Sequence, residues 1–410
     1  MEGYKPQDFS FFHRSEKLVQ QQISIISKMV NERKIGLVVV TNHNYGSILQ
    51  SFALQQAIRS IGRSTEIVNY QEEKKAKIKR LQNFEYAISR VKIIYKQIMM
   101  RLVHPEQKRL LNERTYAFRD FIDGNFYFSK KCVKMASLTE LATTYNVVMV
   151  GSDQVWHPMN LRMNFFTLNF VPDGVKKGAY APSFGVSIIP DPYRKPYAEY
   201  INRIEYVSCR EMAGVKLIKE LTGREVPMVC DPTLLLTAQD WDKFLSDKVK
   251  IKEKYVFCYF IGNNPNQREV VKEYAKVNGL KVVALLHIDE YIASDENYAD
   301  YTPYNVGPAE FLYLVKNAEC VMTDSFHASV FSLQFHRNFY TFNRFENGNG
   351  NSTTSRIDSL LNTANVMDRK VKDGASISDL ANTVIDYKDI DERLKQFRAS
   401  SEAYLKTIVG

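Results

Sequence analysis

Residues 35–62 read IGLVVVTNHNYGSILQSFALQQAIRSIG. The first seven are almost wholly apolar and rich in β-branched side chains, without polar alternation, which marks a strand buried on both faces. Residues 47–61 carry apolar side chains at helical spacing, and Gly62 supplies the residue that most easily ends a helix. A buried strand that runs straight into a helix is half of a parallel βαβ unit. Further strands are expected at 65–69, 147–150, 178–181, 204–208 and 227–230, with a helix at 210–221. A second series restarts after residue 254, with strands at 255–260, 281–286, 320–323 and 338–342 and helices at 267–277, 308–317 and 325–335. The expected class is therefore α/β, two Rossmann-like domains facing a cleft. The divisions expected are a helical extension over 1–34, a first domain over 35–240 and a second over 241–376, followed by a charged helical tail over 377–410. The first domain carries a basic helical insertion at about 72–122.

The composition is that of a globular chain: 410 residues, 45% hydrophobic and 25% charged. No run of 18 apolar residues is present, so no membrane-spanning helix is expected. The first seventeen residues lack the apolar stretch of a signal peptide. Five scattered cysteines without a CxxC pair point to a reduced, cytoplasmic setting and away from a zinc site. The net charge is +9, yet residues 72–119 alone hold thirteen basic residues against five acidic ones. Apolar residues recur there at spacings of three and four. This is either a basic amphipathic helix for an anionic membrane face or a solvated hairpin packed on its own domain. No nucleic-acid partner is expected, because no zinc-finger or RNA-binding signature accompanies the charge. There is no GxxxxGK[ST], HExxH or GxSxG. Asp240-Trp241-Asp242 follows Thr237 and reads as a helix cap, so no metal site is expected.

In parallel sheets ligands sit beyond the carboxyl ends of strands. Four such places, and one loop ahead of a helix, carry unusual chemistry. At 41–47, TNHNYGS brings Asn44 and Tyr45 to a helix start that suits an anion, or merely caps the helix. At 151–156, GSDQVW sets Ser152, Asp153, Gln154 and Trp156 at the end of a core strand. A carboxylate there is expensive unless paired or used, although Asp153 also suits an N-cap. Trp156 suits either a sugar ring or the core. At 208–211, SCRE offers Arg210 as a bidentate anion ligand or as an ion-pair partner of Glu211 or another acid. Asp231, before Pro232, reads as a structural cap. At 323–333, TDSFHASVFSL puts Ser325 and His327 in the first turn of a helix, where an imidazole can exchange a proton with a bound anion. At 346–356, ENGNGNSTTSR is a loop that either closes over a ligand, with Arg356 as a clamp, or is a surface turn.

Together NYGSILQSFALQQAI, VGSDQVW, SCRE, DPTLLL, TDSFHASVFSL and SRIDSLL resemble the polysaccharide pyruvyl transferase family over about residues 35–362. The resemblance implies a GT-B-like fold. It implies transfer of a pyruvyl group from phosphoenolpyruvate, with no further cofactor, to a sugar of a surface polysaccharide or its precursor. The product would be a cyclic ketal, with phosphate released. The acceptor partner would be a lipid-linked oligosaccharide or a nucleotide-activated sugar, met at the inner face of the membrane. His327 would match the family's proton-transferring histidine, and Arg210 the arginine that holds the donor's anionic groups. Asp153 becomes the candidate base or hydroxyl-orienting group, while Asn44 and Tyr45 face the acceptor or close the cleft. Some members have Arg-Leu immediately before the histidine. Here Ser325-Phe326 stand there, leaving the helix amides with Ser325, or Arg356, or a different donor, to make up the missing cation. Two other readings are a nucleotide-sugar glycosyltransferase of the same fold and a non-catalytic binding module of polysaccharide assembly.

Overall fold

The computed structural model describes residues 34–73, 102–287, 290–344, 354–380 and 383–410, together with Ile88, Val91, Ile94, Tyr95 and Ile98. Strands β1 (Ile35–Val38), β2 (Thr65–Ile67), β3 (Val147–Val150), β4 (Lys176–Ala179) and β5 (Tyr206–Val207) form one sheet in the order β2-β1-β3-β4-β5. Strands β6 (Tyr255–Tyr259), β7 (Lys281–Ala284), β8 (Cys320–Thr323), β9 (Asn338–Phe342) and β10 (Lys370–Val371) form the other, in the order β10-β9-β8-β6-β7. All these pairings are parallel. Read from its own second strand, each sheet runs 2-1-3-4-5, so each has a topological switch point between its first and third strands. The α/β class with two Rossmann-like units facing a cleft is what the strand pattern predicted, and the arrangement is the GT-B-like one that the resemblance implied. The unbroken burial of β1, β3 and β8 explains why their sequences show no alternation.

The connecting helices are α1 (Tyr45–Ser60), α2 (Pro105–Asn125), α3 (Met135–Ala142), α4 (Asp191–Asn202), α5 (Met212–Thr222) and α6 (Ala238–Asp242), then α7 (Pro265–Asn278), α8 (Pro308–Lys316), α9 (Phe326–Gln334), α10 (Thr354–Ala364) and α11 (Tyr387–Val409). Asn44 caps α1, its side chain accepting from Ser47 N at 3.2 Å, and Ser325 caps α9. Thr237 and Asp240 cap α6 reciprocally, which accounts for the Asp-x-Asp spacing there.

Three expectations differ from the structure. Residues 227–230 form no strand, only a single bridge between Cys209 and Met228, because the short β5 offers too little edge to pair. Helices α3 and α4 were not foreseen. The tail is not helical from residue 377: a 3-10 turn spans Ile377–Asp379 and α11 begins at Tyr387. Moreover, α11 returns to the first sheet. Ile408 packs on Gly178, Ser401 Oγ accepts from Cys230 N at 2.9 Å, and Arg398 reaches Leu234 O.

The expected extension over 1–34 lies outside the described residues except for Lys34, as do Lys74, Lys75, Lys77 and Lys79 of the basic insertion. Within that insertion α2 buries Leu110, Phe118 and Phe121, whereas the helical Ile88, Val91, Ile94, Tyr95, Ile98 and Leu102 are exposed. None of the described helices is long and apolar enough to cross a membrane. The five cysteines are free and buried.

Candidate active site

The two switch points meet at one hollow of about 270 Å³. After β1 come Asn42, Asn44 and Ser47; after β3, Asp153 and Gln154; after β6, Ile261; after β8, Ser325, Phe326 and His327. Arg344, just past β9, and Arg356, in the first turn of α10, complete the wall. Ser47 Oγ donates to Asp153 Oδ2 at 2.5 Å and ties the start of α1 to the end of β3. Asp153 adopts φ 72°, a left-handed conformation that Asp tolerates better than most residues and that accumulates at functional sites. His327 lies between the first turns of α1 and α9. A Cβ on Gly46 would sit 2.0 Å from its Nδ1, so only glycine lets the ring lie there. Its Nε2 is 3.5 Å from Asp231 Oδ2, an electrostatic contact longer than a hydrogen bond.

Behind the hollow is a buried charge network. Asp231 Oδ1 accepts from Thr233 N at 3.0 Å and Thr233 Oγ1 at 2.7 Å. Its Oδ2 accepts from Arg210 Nη1 at 2.7 Å and Ser152 Oγ at 3.1 Å. Asp153 Oδ1 stands 4.0 Å from Arg210 Nη2, and Glu211 Oε2 stands 3.9 Å from Arg210 Nε. Burial would raise the Asp231 carboxyl, but His327, Arg210 and the Thr233 amide hold it far below the usual range. Burial likewise opposes ionisation of Asp153, and Arg210, His327, the Ser47 hydroxyl and Arg356 outweigh it. Arg356 is different. Burial, then Arg210 and Arg344, push its guanidinium down to about 9, and its Nε has no partner. Three carboxylates match Arg210, whereas no ion pair among the described residues matches Arg356. A hollow walled by that guanidinium suits an anion.

A family model described as polysaccharide pyruvyl transferase matches residues 44–344. The chain belongs to the polysaccharide pyruvyl transferase family. No curated protein sequence matches it. Solved structures similar to it include the UDP-GlcNAc 2-epimerase of Methanocaldococcus jannaschii, at 13% identity and a TM-score of 0.47, covering 88% of this chain and 92% of that one. Another is MurG of Acinetobacter baumannii, at 9% identity and a TM-score of 0.42, covering 92% and 97%.

In this pyruvyl transferase family member His327, Asp153, Ser325, Asn44, Gln154 and Arg356 all line the hollow. The loop 346–353 before α10 lies outside the described residues. Four expected residues stand elsewhere. Trp156 is no sugar platform: it is 2% exposed, packs on Phe184 and Tyr200, and donates its Nε1–H to Phe166 O at 3.2 Å, because the chain turns it inward from β3. Tyr45 closes the cleft instead of facing the hollow. Its hydroxyl donates to Val306 O at 2.8 Å and its ring stacks on Phe311. Ser152 is buried in the network behind. Arg210 does not line the hollow. It is 4% exposed beneath Phe326, 4.7 Å from that ring's centroid, with its charge matched by acids. Sequence reasoning missed Arg344, which the strand-end rule would have found had it been applied to β9. It also missed the second role of Asp231, since a cap is legible from Asp-Pro-Thr and a contact across nearly a hundred residues is not.

Proposed function

We propose that this protein transfers the pyruvyl group of phosphoenolpyruvate to a sugar of a surface polysaccharide or its carrier-linked precursor, forming a cyclic ketal and releasing phosphate. The observation that carries this reading is the meeting of Arg344, Arg356 and the first turn of α9 beside His327, in a hollow of about 270 Å³. Phosphoenolpyruvate carries a carboxylate and a phosphate on one carbon and needs cations, helix amides and an acid in a small space. Arg356 and Arg344 take the place of the arginine absent before the histidine. His327, whose Nε2 stands 3.5 Å from Asp231 Oδ2, delivers the proton to the methylene carbon. Positive character then develops at the adjacent carbon. A sugar hydroxyl attacks it and gives its proton to the ionised Asp153. Phosphate leaves against the guanidiniums, taking up the proton held by Asp153, and a second hydroxyl closes the ketal, its proton returning to His327. Arg210 acts as a positioning residue that keeps Asp231 and Asp153 ionised and in place.

A seat at the cytoplasmic face of an anionic membrane, where lipid-carried acceptors are met, is supported by the exposed row Ile88, Val91, Ile94, Tyr95, Ile98 and Leu102 inside the most basic segment. The test is incubation with phosphoenolpyruvate and extracted glycolipid, reading inorganic phosphate and product mass. His327→Ala is expected to slow phosphate release by roughly 10²–10⁴ without lowering the melting temperature. Near-normal turnover in that variant removes His327 from the chemistry. A nucleoside diphosphate as product, in place of phosphate, replaces the reading with glycosyl transfer.

A further inference from the structure

Asp324 stands between β8 and α9, directly before the Ser325 cap. It is 1% exposed and does not line the hollow. Its carboxylate reaches sideways past the end of β6, the strand paired with β8. Oδ1 accepts from Ile261 N at 2.7 Å, and Oδ2 accepts from Gly262 N at 2.7 Å. The carbonyls of the same two residues are taken as well. His287 Nε2 lies 3.0 Å from Ile261 O, and Arg268 Nη2 donates to Gly262 O at 2.9 Å. Every backbone polar group of Ile261 and Gly262 is thereby matched by a side chain from another part of the second domain. A buried polar network satisfied in this way is rigid.

Arg344 rests on that turn. A Cβ on Gly262 would stand 2.8 Å from Arg344 O and 3.1 Å from Arg344 Cγ, so the turn lies against both its backbone and its stem. Arg344 Nε is 3.9 Å from Asp324 Oδ2, too long for a hydrogen bond, and it makes none elsewhere. Among the described residues no other carboxylate pairs with Arg344. Arg210 shows the opposite arrangement: its Nη1 sits 2.7 Å from Asp231 Oδ2, and it is withdrawn from the hollow.

We infer that Asp324 is a positioning residue: it fixes the turn between β6 and α7 against Arg344, and so holds that guanidinium at the hollow without occupying the fork that takes the donor's phosphate. This rests on the pyruvyl-transfer reading, in which Arg344 is an anion ligand. Asp324 spends its two oxygens on amides, and only its residual charge attracts Arg344. A carboxylate is required for this. Asparagine has one accepting oxygen, and its NH2 group would meet a second N–H. Asp324→Asn therefore leaves one amide of the turn without its acceptor and removes the negative charge beside Arg344.

The test is a double-mutant cycle on the full chain, with phosphoenolpyruvate and inorganic phosphate as calorimetric probes and the melting temperature measured alongside. Asp324→Asn is expected to weaken phosphoenolpyruvate binding roughly tenfold, as the loss of one charge-assisted hydrogen bond to the ligand would. In an Arg344→Met background the same change is expected to alter binding by less than about twofold, because its route to the ligand is gone. A purely structural residue would weaken binding by the same factor in both backgrounds, whatever it did to the melting temperature. Gly262→Ala keeps the carboxylate but drives a methyl group against Arg344. It should repeat the pattern, and it carries the cycle alone if Asp324→Asn does not fold. Unchanged affinity in the folded variant, or equal losses with and without Arg344, overturns the inference. If the wild type binds inorganic phosphate but not phosphoenolpyruvate, the donor reading fails and the cycle run with phosphate decides the role of Asp324. Binding of neither anion overturns both.

Discussion

Glu211 shows what a single residue bears in this network. It is 1% exposed, and its Oε1 accepts from Ser183 Oγ at 2.8 Å and Phe184 N at 3.2 Å. Burial raises its pKa above the ordinary 4.5, and Arg210 and Arg356 only partly oppose this. A carboxyl whose folded pKa exceeds its unfolded one lends stability that is complete below the unfolded value and is lost as pH rises through the folded value. Gln keeps the accepting oxygen and cannot ionise. Glu211→Gln should therefore melt with the wild type below pH 4.5 and above it at neutral pH. Parallel melting curves across that range would mean that the Glu211 carboxyl is not strained by burial. The residue before it was read as a ligand for substrate because an arginine after a strand suits an anion. The sequence also allowed an ion pair with Glu211 or another acid, but Asp153 and Asp231 are remote in sequence, so which acids join Glu211 was not legible.

At the level of elements, the site is made by two helix N-termini set against each other. The first turn of α1 contributes Gly46 and that of α9 contributes His327. The sequence places a glycine at position 46, and the structure shows that the His327 ring approaches it. Gly46→Ala would gain about 0.5–1 kcal/mol of helix propensity, yet its Cβ would stand 2.0 Å from Nδ1 of the imidazole. The ring or the helix must move. Misplacing a reacting group by about 1 Å costs on the order of 10² in rate. Phosphate release should fall by about that factor while the protein stays folded, and a full rate would show that the ring does not work from this position.

For the whole molecule, the two sheets share one apolar cluster and do not behave as beads on a linker. Phe52 of the first packs on Trp241, and Trp241 packs on Phe331 of the second. Tyr45 crosses the cleft to Val306. The C-terminal α11 buries Ile390, Leu394, Leu405, Ile408 and Val409. Each such side chain contributes about 1.5–3 kcal/mol, so together they rival the about 5–15 kcal/mol by which a domain is stable. A chain ending at Asp386 should therefore lose its cooperative melting transition and become insoluble on expression. A soluble truncated protein with the native melting temperature would make the tail dispensable.

The sequence alone determined most strands and helices, the α/β class and the strand ends where chemistry gathers, because burial and periodicity are written in neighbouring residues. It also brought out His327, Asp153, Ser325, Asn44, Gln154 and Arg356 by that rule. Only the tertiary structure decided that Trp156 turns inward, that Arg210 is spent on Asp231 and Asp153, and that Arg356 has no ion-pair partner among the described residues. Whether a charge is matched depends on distances of a few ångströms between residues far apart in the chain, and no local pattern encodes them.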